Sequence, residues 1–255
     1  MNALAFLGIG ARNALIVNPR DIAALMRALR HENFTAITAL NTLYSALMDN
    51  DEFRRCDFSA LKLAMAGGTQ RAVAERFRAM TGRTLIEGYG LTECSPLVCA
   101  TPFGVHEFDG TIGLPVPSTL VRMRREDGTW ANVDEPGELC VQGPQVMKGY
   151  WNRPEDTAKA IDANGWLATG DIGVMDARGF IRLIDHKKDM MIVSGFNVYP
   201  NEIEDVLAAH PKVRAVAAVG VPDPVTGERV KAFVVKRDES LTVEELLKLA
   251  RFVYI

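Results

Sequence analysis

Three short stretches gather glycine, carboxylate and hydroxyl residues at a density that a plain hydrophobic core does not require. The first is Gly67-Gly68-Thr69, placed after an apolar run and before a helical pattern. Backbone amides left open at such a junction can cradle an anion or let a flat ligand approach the chain. Two glycines at a strand end are equally what a tight turn uses. The second stretch is EGYGLTE, Glu87 to Glu93. It packs an aromatic ring, two glycines, a hydroxyl and two carboxylates into one short segment, a set that is costly to bury without a ligand. Tyr89 can stack on a purine face, and Gly88 and Gly90 would admit it closely. Thr92 can donate to a phosphate oxygen, and Glu93 can hold Mg2+ through hard oxygens. The third stretch runs from Gly165 to Glu204. Within it Asp171, after Thr169 and Gly170, is an acceptor-only group suited to a ribose diol. His186, Lys187 and Lys188 would ordinarily be solvated surface.

These groups need elements to position them, and hydrophobic periodicity predicts an α/β order. Phe34 to Leu40, Leu61 to Ala66 and Thr84 to Glu87 read as buried strands, and Ile22 to Leu29 and Arg71 to Met80 as amphipathic helices. From about Thr111 the pattern turns to strands and turns, at Val121 to Arg125, Gly137 to Val141 and a hairpin through Asp176 to Gly179, with a short helix after Pro154. After Asp189 a helix from about Pro200 carries Ile203, Val206, Leu207 and His210 on one face. Strands then follow at Val213 to Val219 and Val230 to Val235. Thr242 and Glu245 make a capping box ahead of Val243, Leu246, Leu247 and Ala250. That stripe continues through Val253 and Tyr254 to Ile255 without a stop signal, which predicts a chain cut inside a helix.

Composition limits the classes of function. The chain has 255 residues, 48% hydrophobic and 24% charged, with formal net charge −3, which describes a folding chain and not a disordered one. Its basic residues are scattered, which argues against a nucleic-acid partner. No apolar run approaches a membrane span and no basic segment precedes the apolar start, so a soluble, cytoplasmic chain is expected. The four cysteines, Cys56, Cys94, Cys99 and Cys140, fit no metal spacing and are expected as reduced thiols.

In this order and spacing, the three stretches resemble the adenylate-forming superfamily of acyl-CoA synthetases, aryl-CoA ligases, luciferases and peptide-synthetase adenylation domains. GELCVQGPQVMKGYWNRPEDT, Gly137 to Thr157, is similar to a further shared block. Asn164 to Met190 resembles the signature stretch of fatty acyl-CoA ligases, and SGFNVYPNEIEDVL and NPRDIAALM resemble bacterial long-chain fatty acid–CoA ligases. The resemblance implies an α/β fold comprising the later part of a large N-terminal domain over 1–186, β-rich from about 111. A small α+β C-terminal domain over 187–255 would follow, with a hinge near Lys188. It implies an acid–thiol ligase acting in two steps. ATP and a fatty acid give an acyl-adenylate and pyrophosphate, and coenzyme A then displaces AMP. It also implies roles for the residues. Gly67, Gly68 and Thr69 line the adenine and acyl side, and Glu87, Gly88, Tyr89, Gly90 and Leu91 hold the adenine. Thr92 meets the α-phosphate, Glu93 binds Mg2+, and Asp171, Leu183 and His186 belong to the nucleotide site. Ser194 and Gly195 face the pantetheine path. A peripheral position on the inner face of the cell membrane and a homodimer are left open by the resemblance.

Within the same chemistry a medium-chain or aryl acid is the alternative substrate, and a non-catalytic nucleotide-binding remnant is the alternative function. Ala36, Ala39, Leu43 and Leu47 suit an alkyl chain, and equally a buried strand and helix. Four departures from the family pattern stand out. No Ser/Thr/Gly-rich phosphate loop with its lysine occurs in residues 1–255, and the family's catalytic lysine near the C-terminus has no counterpart here. His186 stands where the family usually has arginine, and the loop after Gly68 is about three residues shorter than usual. The first two departures predict that these 255 residues alone release no pyrophosphate from palmitate, ATP and Mg2+. A coupled pyrophosphate assay giving the rate of a full-length relative would contradict this.

Overall fold

The computed structural model describes residues 2–105, 107–187 and 189–251. The chain divides into two compact units, the first formed by Met1–Arg122, Cys140–Thr169 and Met175–Arg182. The second is formed by Met123–Leu139, Gly170–Val174 and Leu183–Ile255.

The first unit opens with helices α1 (Asn2–Gly8) and α2 (Ile22–His31), then strand β1 (Ala36–Leu40) and helices α3 (Asn41–Met48) and α4 (Asp51–Arg54). Strand β2 (Leu63–Gly67), helix α5 (Arg71–Thr81) and strands β3 (Leu85–Gly90), β4 (Leu97–Ala100) and β5 (Leu114–Pro115) follow. The sheet order is β1-β2-β3-β4-β5. The first three strands are parallel, and β4 and β5 run antiparallel. Local chemistry sets the helix ends. Asp21 accepts the Ala24 N–H at 2.9 Å at the start of α2, and Gly82 at φ +67° closes α5 by donating to Arg78 O. The apolar faces of α2, α3 and α5 meet the sheet in one core around Met26, Tyr44, Leu47, Met48, Phe53, Leu61 and Phe77. The Tyr44 and Phe77 rings meet edge to face at 5.2 Å.

A second sheet has the order β6-β7-β8-β9, with β6 at Leu120–Arg124, β7 at Gly137–Gln142, β8 at Leu167–Met175 and β9 at Ile181–His186. Helix α6 (Pro154–Ala160) lies between β7 and β8 in sequence, starting with proline at its first turn. In the second unit, strands β10 (Met191–Val193) and β11 (Phe196–Val198) form a short hairpin, helix α7 (Pro200–Ala208) follows, and β12 (Val213–Asp223) and β13 (Gly227–Lys236) form a long one. The sheet order is β11-β10-β13-β12. Met191, Ile203, Leu207 and Ala218 are its buried core, with Leu246 and Ala250 of helix α8 (Val243–Arg251) packed on it.

The expected elements are present with shifted edges. β3 runs three residues beyond Glu87, so part of EGYGLTE is itself strand. α7 ends at Ala208, which places His210 outside the helix face expected to carry it. β12 and β13 are longer than their apolar runs because pairing continues to a turn in which Asp223 accepts the N–H groups of Val225 and Thr226. The capping box forms, Thr242 and Glu245 exchanging backbone-to-side-chain bonds of 2.9 and 3.2 Å. Val253 to Ile255 lie outside the described residues. All four cysteines are free thiols, and no described helix is long and apolar enough to cross a membrane.

Tyr44 ties the first core together. Its fully buried hydroxyl lies 3.0 Å from both Ile37 O in β1 and Met65 O in β2, and burial holds the phenol far above its usual pKa. Tyr44→Phe is expected to lower unfolding free energy by about 1 kcal/mol, the scale of one buried hydrogen bond, measurable by urea denaturation.

Candidate functional site

The first group of site residues sits at the carboxyl ends of the parallel strands β2 and β3, where ligands of open α/β sheets usually bind. Gly67 ends β2, and Gly68 turns away at φ +65°, a left-handed conformation that glycine adopts without strain. The buried Glu87 side chain of β3 fills the concavity so formed. Its Oε1 accepts the Gly68 N–H at 2.7 Å and its Oε2 the Thr69 N–H at 3.1 Å. The amides that the sequence seemed to offer to an outside anion are thus occupied by an internal carboxylate. The expectation that Glu87 holds adenine is joined by a different observed contact, since Glu87 braces the glycine loop. Thr69 Oγ1 is buried beside this carboxylate without a well-formed hydrogen bond.

Beyond Glu87, Gly88 is half-buried, Tyr89 is buried and Gly90 is exposed. A Cβ on Gly90 would sit 1.9 Å from Pro96 O, so no other residue fits there. After Leu91 the chain makes a single 3-10 turn over Thr92–Cys94. Thr92 is exposed and Glu93 half-buried. Glu93 is met by the segment between β7 and α6: Met147 N–H donates to Glu93 O at 2.7 Å, and the Tyr150 hydroxyl donates to Glu93 Oε1 at 2.9 Å. Sequence reasoning placed Tyr150 inside a shared block without giving it a task, because its partner lies 57 residues away.

In the second unit, Asp171 is buried and its Oδ1 lies 2.5 Å from Nδ1 of the exposed His186 ring. Leu183 is half-buried in β9. Glu138 is buried and pairs with Arg124 at 3.0 Å and Lys187 at 3.2 Å. Its burial alone would raise the carboxyl pKa, but these two cations hold it below the ordinary glutamate value. Asp185, also buried, accepts the His186 N–H at 2.7 Å and the Asn201 N–H at 3.0 Å. It therefore caps α7, whose own N-cap residue Tyr199 makes no side-chain cap. Lys188, expected as the hinge, lies outside the described residues. Ser194 and Gly195, expected on the pantetheine path, form the exposed tip of the β10–β11 hairpin at φ +53° and +82°. Two positive φ values fit a two-residue hairpin turn.

The apolar set near β1 is divided by the fold. Leu47 belongs to the closed core, whereas Ala36, Ala39 and Leu43 line a cavity of about 620 Å³ together with Leu25 and Phe34. Among the described residues no group of three or more His, Cys, Asp or Glu is placed to hold a metal ion. Mg2+ needs fewer protein ligands, usually one or two carboxylates completed by water and phosphate oxygens. Glu93, half-buried and without a Lys or Arg partner among the described residues, fits that pattern.

Residues 1–151 match the family described as AMP-binding enzyme, and residues 202–252 match the AMP-binding enzyme C-terminal domain. The chain belongs to the AMP-binding enzymes. The curated relatives include a long-chain-fatty-acid–CoA ligase of Yersinia pestis, 56% identical over 253 residues, which covers 98% of this chain and 45% of that protein. The chain thus spans less than half the length of that relative. Solved structures similar to this AMP-binding enzyme include the amide bond synthetase McbA of Marinactinospora thermotolerans, with TM-score 0.83, 33% identity and coverage of 92% of this chain and 48% of that one. ATP-bound MatB of Rhodopseudomonas palustris gives TM-score 0.81 and 30% identity, covering 93% of this chain and 47% of that one.

Burial pushes the Glu87 pKa above the ordinary glutamate value, partly offset by bonds from Thr69 and the Gly68 amide. A raised native pKa means the folded state binds this proton more tightly than the unfolded chain. Its contribution to stability is then full below the ordinary glutamate range and is lost as pH rises through the elevated value. Glu87→Gln should remove that slope. Denaturation midpoints of parent and variant measured from acid to neutral pH check it, and parallel curves would refute it.

Proposed function

We infer that this chain carries nucleotide contacts of a long-chain fatty acid–CoA ligase. That enzyme joins a fatty carboxylate to ATP as an acyl-adenylate with release of pyrophosphate, then passes the acyl group to the thiol of coenzyme A with release of AMP. The observation that carries this reading is the placement of Gly68-Thr69 and Tyr89 to Glu93 together at the carboxyl ends of the parallel strands β2 and β3. The substrate class is supported by 56% identity to the Yersinia pestis relative bearing that name. The 33% likeness to an amide bond synthetase supports an amine acceptor less strongly than that identity supports a thiol.

On this reading Gly67 to Thr69, braced by Glu87, form the wall against the adenine, and Tyr89 with Gly88, Gly90 and Leu91 borders the base. Thr92 donates to an α-phosphate oxygen. Glu93 would hold Mg2+, which when bound neutralises charge on the phosphates. Asp171 accepts the ribose hydroxyls, with His186 bonded to its Oδ1 at the edge of the same site. Leu183 adds apolar contact to the nucleotide. Ser194 and Gly195 keep a small, uncharged tip for the pantetheine thiol. Lys188 is the hinge, with the large domain reaching residue 186 and the small one beginning at 187. A hinge there is a few backbone positions that absorb a large dihedral change.

Titration calorimetry of the chain with AMP tests the reading: saturable binding that Asp171→Ala abolishes is expected, and no heat from the parent would overturn it. Histidine lacks the bidentate fork of arginine. His186→Arg is therefore expected to tighten AMP several-fold in the same titration, and unchanged affinity would remove His186 from the site.

A further inference from the structure

Glu93 is held at two points by one segment. Met147 N–H fixes its backbone carbonyl, and the Tyr150 hydroxyl fixes carboxylate Oε1. Tyr150 is anchored in turn. Its N–H donates to Thr157 Oγ1 at 2.9 Å, and the Thr157 hydroxyl donates to Arg153 O at 2.8 Å across the first turn of α6. Gly149, at φ +150°, lets the chain pass close to that helix, since a Cβ there would lie 2.6 Å from Thr157 Cγ2. The phenol is thus delivered to Glu93 from a helix end.

The chemistry of this donor is selective. A lysine or arginine at the same place would neutralise the carboxylate and compete with a cation. A tyrosine hydroxyl is neutral, takes only one oxygen and leaves the full negative charge. Glu93 Oε2 has no hydrogen-bond partner among the described residues. Fixing a glutamate side chain beforehand also removes part of its rotamer freedom, a cost that cation binding would otherwise carry.

We propose that Tyr150 is a positioning residue for the cation-binding carboxylate: its hydroxyl pins Glu93 Oε1 and presents Oε2 to the divalent cation that accompanies the nucleotide's phosphates. The proposal rests on Glu93 being the magnesium ligand of the nucleotide site.

The test is calorimetric titration of ATP into the 255-residue chain at a series of MgCl2 concentrations, with AMP titrated in the absence of metal as the control, for parent, Tyr150→Phe, Glu93→Gln and the double variant. The expected result is that Tyr150→Phe raises the Mg2+ concentration needed for half-maximal tightening of ATP by about tenfold, the scale of one hydrogen bond to a charged group. Metal-free AMP binding should stay unchanged. In the Glu93→Gln background Tyr150→Phe should add nothing, which separates positioning from a general loss of packing. Equal Mg2+ dependence in parent and Tyr150→Phe, or the same shift with and without Glu93, overturns the role of Tyr150. A parent whose ATP binding ignores Mg2+ overturns Glu93 as the ligand and this proposal with it. A parent that binds neither nucleotide overturns the nucleotide-site reading itself.

Discussion

A buried carboxylate must be given donors, and the arrangement at the ends of β2 and β3 follows from how Glu87 meets that demand. Its two oxygens take the amides of Gly68 and Thr69, which is possible only because Gly68 turns into the left-handed region. Its own N–H donates to Thr101 Oγ1 at 3.2 Å, so one residue links the strand end, the glycine loop and the segment after β4. With those positions set, Gly90 passes against Pro96 O, where no side chain could be accommodated, and the chain enters the Thr92–Cys94 turn in one defined direction. An unpaired carboxylate in the same place would cost several kcal/mol, so the loop geometry and the charge stabilise each other.

The same rule organises the second unit. Asp171, Glu138 and Asp185 are buried there, and each has a named donor: His186 for the first, Arg124 and Lys187 for the second, and the amides of His186 and Asn201 for the third. The stretch 185–187 therefore contributes to all three. Asp185 also supplies the cap that α7 lacks in its own sequence. A charge cluster that reads as solvated surface is in fact the place where three buried acids are satisfied, and this is a physical reason for its density of charge.

Much of this was legible before the fold was known. The α/β order around Gly67 and the capping box at Thr242 both follow from local rules with a short reach. The misplaced edges have a common cause. β3 continues through Gly88 and Gly90, and β12 and β13 extend past their apolar runs, because pairing with a neighbouring strand overrides local preference. His210 fell outside α7 because periodicity does not mark where backbone bonding stops.

Residue types and spacing by themselves pointed to the family and suggested a chemistry for it: a carboxylate suited to a hard cation, a hydroxyl suited to a phosphate, and an aromatic flanked by glycines suited to a flat base. Tertiary structure alone decided which of those groups remain open to a ligand. Glu87 turned out to be bound to the glycine loop, Asp171 to His186, and Glu93 to a tyrosine 57 residues away. The reason is that hydrogen-bond partners of buried charge are chosen by proximity in space, and separations of 15, 19 and 57 residues leave no periodic trace in the sequence.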